Sequence, residues 1–196
     1  MAYAVPLHLR ITLRPGEHRA TTAATVLSTL LGSCVAACLF DPVSRVAGMN
    51  HFLLANRRYA RSMPLNITEA GRYGIHAMEL LINDMMNLGA QRSRLQAKVF
   101  GGGAILDENS DSHFLCVGDV NQRFIREFLA AEGIRIVSED LGGELGRVIH
   151  FHTDTFQVFR KFIPKTQTLR IEKRELGLWK RQIEKPEERE GAIILF

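Results

Sequence analysis

The feature that most constrains this chain is an apolar, β-prone run that meets a turn signal and then resumes. Leu30-Leu31-Gly32-Ser33-Cys34-Val35-Ala36-Ala37-Cys38-Leu39-Phe40 runs into Asp41-Pro42, and Gly48-Met49-Asn50-His51-Phe52 follows. Two such runs joined by Asp-Pro predict a β-hairpin with its loop over Asp41 to Ser44. Phe40 then faces Arg45, and the same antiparallel register sets Cys34 directly opposite His51, with facing Cβ atoms roughly 4.5–5.5 Å apart. A thiol and an imidazole at that separation can share a proton, so the hairpin reads as half of a cysteine hydrolase site. In this register Cys38 faces Ala47, a core position deeper in the hairpin.

The composition is compatible with a free thiol. The chain has 196 residues, 46% hydrophobic and 23% charged, as expected of one soluble globular domain with a substantial core. Its net charge of +4 is mixed through most of the sequence, and RNP-like aromatic motifs and zinc-finger spacing are absent, so nucleic acid is not an expected partner. Three cysteines, Cys34, Cys38 and Cys116, do not make a disulfide framework. Met1-Ala2-Tyr3-Ala4-Val5-Pro6 lacks the basic segment and apolar core of a signal peptide, and no apolar run reaches the roughly 18–20 residues that span a bilayer. The expectation is a cytoplasmic protein without membrane insertion.

Around the hairpin, Leu7 to Leu13 alternates as an edge strand and Pro15-Gly16 turns the chain. Ser28 and Thr29 lie six and five residues before Cys34. Either hydroxyl can hold His51 in the productive tautomer, as the third member of a triad does, or simply satisfy nearby backbone. Residues 55–71 read as a long loop at the rim of the site. Ile75, Met78, Ile82 and Met85 recur at helical spacing, which predicts a helix over 72–88 ended by Gly89. Residues 95–106 read as a buried strand in which Gly101-Gly102-Gly103 marks a bulge or a close backbone approach. A second helix is expected over 119–132, capped by Asp119 with Gln122, then a strand over 134–137 and a hairpin over 147–163. His150 and His152 share a strand face there, but no Cys, Asp or Glu stands at ligand spacing, so no metal is expected. From residue 164 the chain turns to Lys, Arg and Glu and closes on Ala192-Ile193-Ile194-Leu195-Phe196.

Several ordered segments together resemble the CheD family of chemoreceptor glutamine deamidases. They are Pro15-Gly16-Glu17, Thr29-Leu30-Leu31-Gly32-Ser33-Cys34-Val35-Ala36, Gly48-Met49-Asn50-His51-Phe52, Arg72-Tyr73-Gly74, Ala77-Met78-Glu79-Leu80-Leu81-Ile82-Asn83 and Lys98-Val99-Phe100-Gly101-Gly102, with Gly142-Gly143 and Gly146-Arg147 later. The family's Pro-x-Thr-Gly near the last hairpin is replaced here by His152-Thr153-Asp154-Thr155-Phe156. The resemblance implies a CheD-like deamidase domain over 1–163 and a charged C-terminal extension over 164–196. It implies an α+β fold, a mixed β-sandwich-like core with flanking helices, a cysteine-hydrolase-like deamidase fold similar in catalytic arrangement to the cytotoxic necrotizing factor toxins. It also implies Cys34 as nucleophile, His51 as base and a threonine as third member at the position of Ser28, with a one-residue strand adjustment giving that role to Thr29.

The implied reaction converts glutamine side chains of methyl-accepting chemoreceptors to glutamate and ammonia through a Cys34 thioester, without metal or organic cofactor. Some family members bind a CheC-type phosphatase, a candidate partner here. The alternative is a non-catalytic adaptor that binds chemoreceptor or CheC on the same fold.

Overall fold

The computed structural model describes residues 9–54, 69–104, 115–164, 170 and 177. Among the described residues the fold is α+β, with two mixed sheets and two long helices. One sheet has the order β1-β3-β8-β9, formed by β1 (Leu9–Thr12), β3 (Thr25–Leu31), β8 (Arg147–His152) and β9 (Val158–Phe162). The other has the order β2-β5-β4-β6-β7, formed by β2 (His18–Thr21), β5 (Val46–Asn50), β4 (Val35–Asp41), β6 (Gln96–Gly101) and β7 (Arg135–Leu141). Helices α1 (Glu69–Asn87) and α2 (Leu115–Ala131) contact the second sheet.

The long apolar run of β4 follows from its place between two cores. Cys34, Ala36, Cys38 and Phe40 join Leu27, Leu31, Met49, Ile149 and Phe151 between the sheets. Val35, Ala37 and Leu39 join Met78, Leu81, Ile82, Phe124 and Ile125 under the helices. A strand covered on both faces has no solvent side and so does not alternate in polarity. Each buried Leu, Met or Phe contributes about 1.5–3 kcal/mol, against about 0–1 kcal/mol for an exposed ion pair such as Arg126–Glu139, so these two cores hold the layers together.

The β4–β5 hairpin forms, with its loop one residue later than expected. Asp41 pairs with Val46, Phe40 with Ala47 and Cys38 with Met49, so the loop is Pro42 to Arg45. The Asp41 carboxylate explains the shift. It accepts from the amides of Val43 and Ser44, and its own carbonyl accepts from Arg45 at 3.0 Å, with Arg45 at φ 60°. Asp41 is fully buried against Arg94, Oδ2 to the guanidinium at 2.7 Å. Burial alone would raise its pKa, but Arg94 and the Gln91 and Val43 amides hold the carboxyl below the usual carboxylate range. A shift of one residue on each strand moves every partner by two, so the faces are kept.

Both helices start earlier than their periodicity indicates. α2 includes Asp119 in its interior rather than at its cap, and a Cβ on the preceding Gly118 would overlap the carbonyls of Gly102 and Gly103. β1 is an edge strand as expected, while β2 and β3 lie in a Thr- and Ala-rich stretch whose pattern did not announce strands. β6 stops at Gly101 and β7 runs on to Leu141. Most of the long loop over 55–71, His8, the Cys116 side chain and nearly all of the extension over 164–196 lie outside the described residues.

Gly101 shows why the triple glycine is there. Its φ is +111°, and a Cβ on it would overlap the carbonyl oxygen of Cys34. Gly133 has a similar left-handed backbone, φ +66°, with open space around it. Gly101→Ala should therefore cost about 3 kcal/mol or more in urea unfolding, while Gly133→Ala costs about 1–2 kcal/mol. Equal losses would mean that the approach to Cys34 is not tight.

Candidate active site

Cys34 sits at the crossing from one sheet to the other, after β3 and before β4. Its backbone is held on several sides. Gly102 N donates to the Cys34 carbonyl at 2.7 Å, Gly103 N to the Gly32 carbonyl at 2.9 Å, and Asn121 Nδ2 of α2 to the Ser33 carbonyl at 2.9 Å. Cys34 and Cys38 are both fully buried and neither is in a disulfide. Burial pushes the Cys38 thiol far up, with the nearby Lys98 ammonium offsetting only part, so Cys38 is a core thiol.

His51 follows β5. Its amide donates to Glu17 O at 3.0 Å, its carbonyl accepts from Gly16 N at 2.7 Å, and the next residue, Phe52, forms a bridge with Val35. The observed register therefore sets Ala36, not Cys34, directly opposite His51. Cys34 and His51 become diagonal neighbours on one face, at a Cα spacing of roughly 7–8 Å.

The two hydroxyls before the cysteine separate by strand parity. Thr29 faces the space between the sheets, and its Oγ1 lies 2.7 Å from His51 Nδ1. Ser28 faces the other side of its sheet, where its Oγ lies 2.8 Å from Nδ1 of His150, its partner on β8. Thr29 Oγ1 also donates to the Leu13 carbonyl at 2.8 Å. A hydroxyl has one proton. With that proton on Leu13 O, Thr29 accepts from Nδ1–H of His51, and the basic lone pair is on Nε2.

Burial lowers the His51 pKa from 6.5 to about 4, against the opposing effect of the Leu13 carbonyl. The imidazole is therefore neutral at pH 7. A cleft of about 210 Å³ is lined by His51 and Asn50, with Glu17 and His18 on one side and Tyr73, His76 and Leu80 of α1 on the other. Burial raises the Tyr73 pKa, and the nearby Cys34 sulfur adds to the effect. Sequence reasoning did not single out Tyr73 or Asn121 for the site. Tyr73 lies within Arg72-Tyr73-Gly74, and Asn121 keeps phase with Phe124, Ile125 and Phe128 on the apolar stripe of α2. Both now stand beside it.

His150 and His152 are on the outer face of their sheet, with His152 edge-on to Phe159 and Ser28 beside His150. Among the described residues no group of three or more His, Cys, Asp or Glu could hold a metal ion, and no helix is long and apolar enough to cross a membrane.

The model of the family described as CheD chemotactic sensory transduction matches residues 54–162. This chain belongs to the CheD family. It is 54% identical over 187 residues to the probable chemoreceptor glutamine deamidase CheD 1 of Geobacter sulfurreducens, covering 95% of this chain and 93% of that protein. The probable chemoreceptor glutamine deamidase CheD 2 of Shewanella oneidensis is 49% identical over 78% of this chain and 76% of its own length. The CheD of Laribacter hongkongensis, of the same description, is 40% identical over 93% of this chain and 85% of its own. Among solved structures, the Bacillus licheniformis hypothetical protein YfiH is similar at 15% identity and TM-score 0.36, covering 63% of this chain and 49% of that one.

The depressed His51 pKa fixes the sign of a stability effect. Between pH 6.5 and about 4 the unfolded chain carries a proton on this histidine that the folded chain does not. Its contribution is complete above pH 6.5 and is lost as pH falls towards 4, at most about 3 kcal/mol. Urea unfolding of the wild type across this window should fall more steeply than that of His51→Gln. Parallel profiles would contradict a buried, neutral His51.

Proposed function

We propose that this CheD protein is a chemoreceptor glutamine deamidase in which Cys34 is the nucleophile, His51 the base and Thr29 the third residue. The observation that carries the reading is the hydrogen bond between Thr29 Oγ1 and His51 Nδ1, made across the two sheets on the face that also bears Cys34. Ser28, which aligns with the family's threonine by residue count, faces away and is spoken for by His150. The role therefore passes to Thr29.

In the resting site burial keeps the His51 imidazole neutral. Nε2 takes the thiol proton as the sulfur attacks the amide carbon of a glutamine side chain, so little charge accumulates before the bond forms. The oxyanion is met by backbone amides near Ser33 and Cys34. His51 returns the proton to the leaving nitrogen, ammonia departs and a thioester remains. Water then gives its proton to Nε2, attacks the thioester and leaves glutamate and the thiol. The chemistry requires neither metal nor organic cofactor.

The substrate class follows from the relatives' descriptions: glutamines of chemoreceptors, taken here to lie on their cytoplasmic region, where the Cys34 thiol stays reduced. The cysteine-hydrolase-like deamidase fold, the assignment of residues 1–163 to the catalytic domain and of 164–196 to a charged extension, and a CheC-type phosphatase as regulator belong to the same reading.

Peptide mass spectrometry of a chemoreceptor cytoplasmic fragment tests it. The wild type should convert particular glutamines to glutamate and Cys34→Ala none. Thr29→Val should slow conversion on the order of 10²-fold, and Ser28→Ala by less than about threefold. Conversion by Cys34→Ala equal to wild type would remove the mechanism. Binding without conversion by the wild type would leave an adaptor.

A further inference from the structure

Asn121 is a polar residue on the apolar stripe of α2, and it is fully buried. Both ends of its amide are used. Nδ2 donates to the Ser33 carbonyl at 2.9 Å, and Oδ1 accepts from the Leu54 amide at 2.8 Å. One side chain therefore ties the residue before Cys34 to the segment three residues beyond His51.

The bond to Ser33 also sets a direction. The Ser33 carbonyl and the Cys34 N–H belong to one peptide, and no described peptide is cis. In a trans peptide the two groups point opposite ways. Asn121 draws the carbonyl towards α2, so the Cys34 N–H is directed away from the helix layer, towards the space between the sheets. The Cys34 side chain joins that space, and the His51 ring meets Thr29 there. The carbonyls on either side of this peptide are held as well, Gly32 by Gly103 N and Cys34 by Gly102 N. The glycine strand is itself clamped by α2, through Gln122 Nε2 to the Gly102 carbonyl at 2.8 Å.

From this geometry we infer that Asn121 is a positioning residue for the oxyanion. It holds the Ser33–Cys34 peptide in the orientation that presents the Cys34 N–H to the oxygen of the attacked amide. The inference rests on the deamidase reading and adds a residue to it. It has a consequence that a purely structural asparagine would lack. Thiol alkylation by iodoacetamide is a direct displacement that develops no oxyanion, whereas deamidation does. Loss of Asn121 should therefore separate the two reactions.

The experiment compares wild type, Asn121→Ala and Asn121→Asp for conversion of a chemoreceptor fragment and for iodoacetamide labelling of the Cys34 peptide. Asn121→Ala should lower kcat on the order of 10²-fold, with KM and the Cys34 labelling rate changed by less than about threefold. Asn121→Asp provides the second readout. Its neutral carboxyl can donate to Ser33 O and accept from Leu54 N, whereas its carboxylate cannot donate. Burial raises its pKa, so its kcat relative to wild type should recover as pH is lowered from 8 to 6.

Labelling and turnover that fall together in Asn121→Ala would show that the residue merely holds the fold and would overturn the inference. So would an unchanged kcat, or an Asn121→Asp variant with no pH-dependent recovery. Absence of conversion by the wild type would overturn the deamidase reading, and this inference with it, and only the wild-type sample reports that.

Discussion

The hydrogen bond from His51 to Thr29 is the contact on which the site depends, because it joins two sheets that share no ladder. Thr29 belongs to the β1-β3-β8-β9 sheet and His51 to the end of a strand in the other. The sheets must pack at a fixed offset for the bond to exist, and the apolar side chains between them fix that offset. Leu27 and Leu31, two residues to either side of Thr29, are fully buried in the same core as Ala36, Cys38 and Met49. The tautomer of a buried imidazole is thus set by the packing of a hydrophobic core. The Leu13 carbonyl completes the arrangement by taking the one proton that Thr29 has to give.

The same burial decides the character of the chemistry. Cys34 and Cys38 are both fully buried on one face, and the register sets both diagonal to His51, two residues to either side of Ala36. Cys38 pairs with Met49, and its thiol is held neutral by desolvation. A cleft along α1 is lined in part by Asn50 and His51.

Much of this was legible in the sequence, for reasons that also mark the limits. The hairpin and the shared face of Cys34 and His51 depend on the period of two along a strand, and that survived the error in register. The loop begins one residue later than the Asp-Pro signal suggests, because Asp41 pairs with Val46 while its carboxylate caps the loop amides and is also bound by Arg94 and the Gln91 amide, from a segment more than forty residues away. The choice between Ser28 and Thr29 could not be made by counting residues. Neighbours on a strand face opposite ways, and of the two it is Thr29 that faces the other sheet and meets His51. Asn121 had a signal, a polar residue in phase with Phe124, Ile125 and Phe128, but its partner is a backbone carbonyl that no sequence pattern reveals. The strands β2 and β3 were obscured by Thr and Ala, whose burial here depends on tertiary neighbours rather than on local pattern.

The most direct measurement of the central claim is the tautomer of His51, read from long-range proton–nitrogen correlations of imidazole-labelled protein at pH 7. The account predicts a neutral ring with its proton on Nδ1 and a bare Nε2, and loss of that preference in Thr29→Val. A ring protonated on Nε2 in the wild type would contradict it, since the nitrogen meant to receive the thiol proton would already hold one.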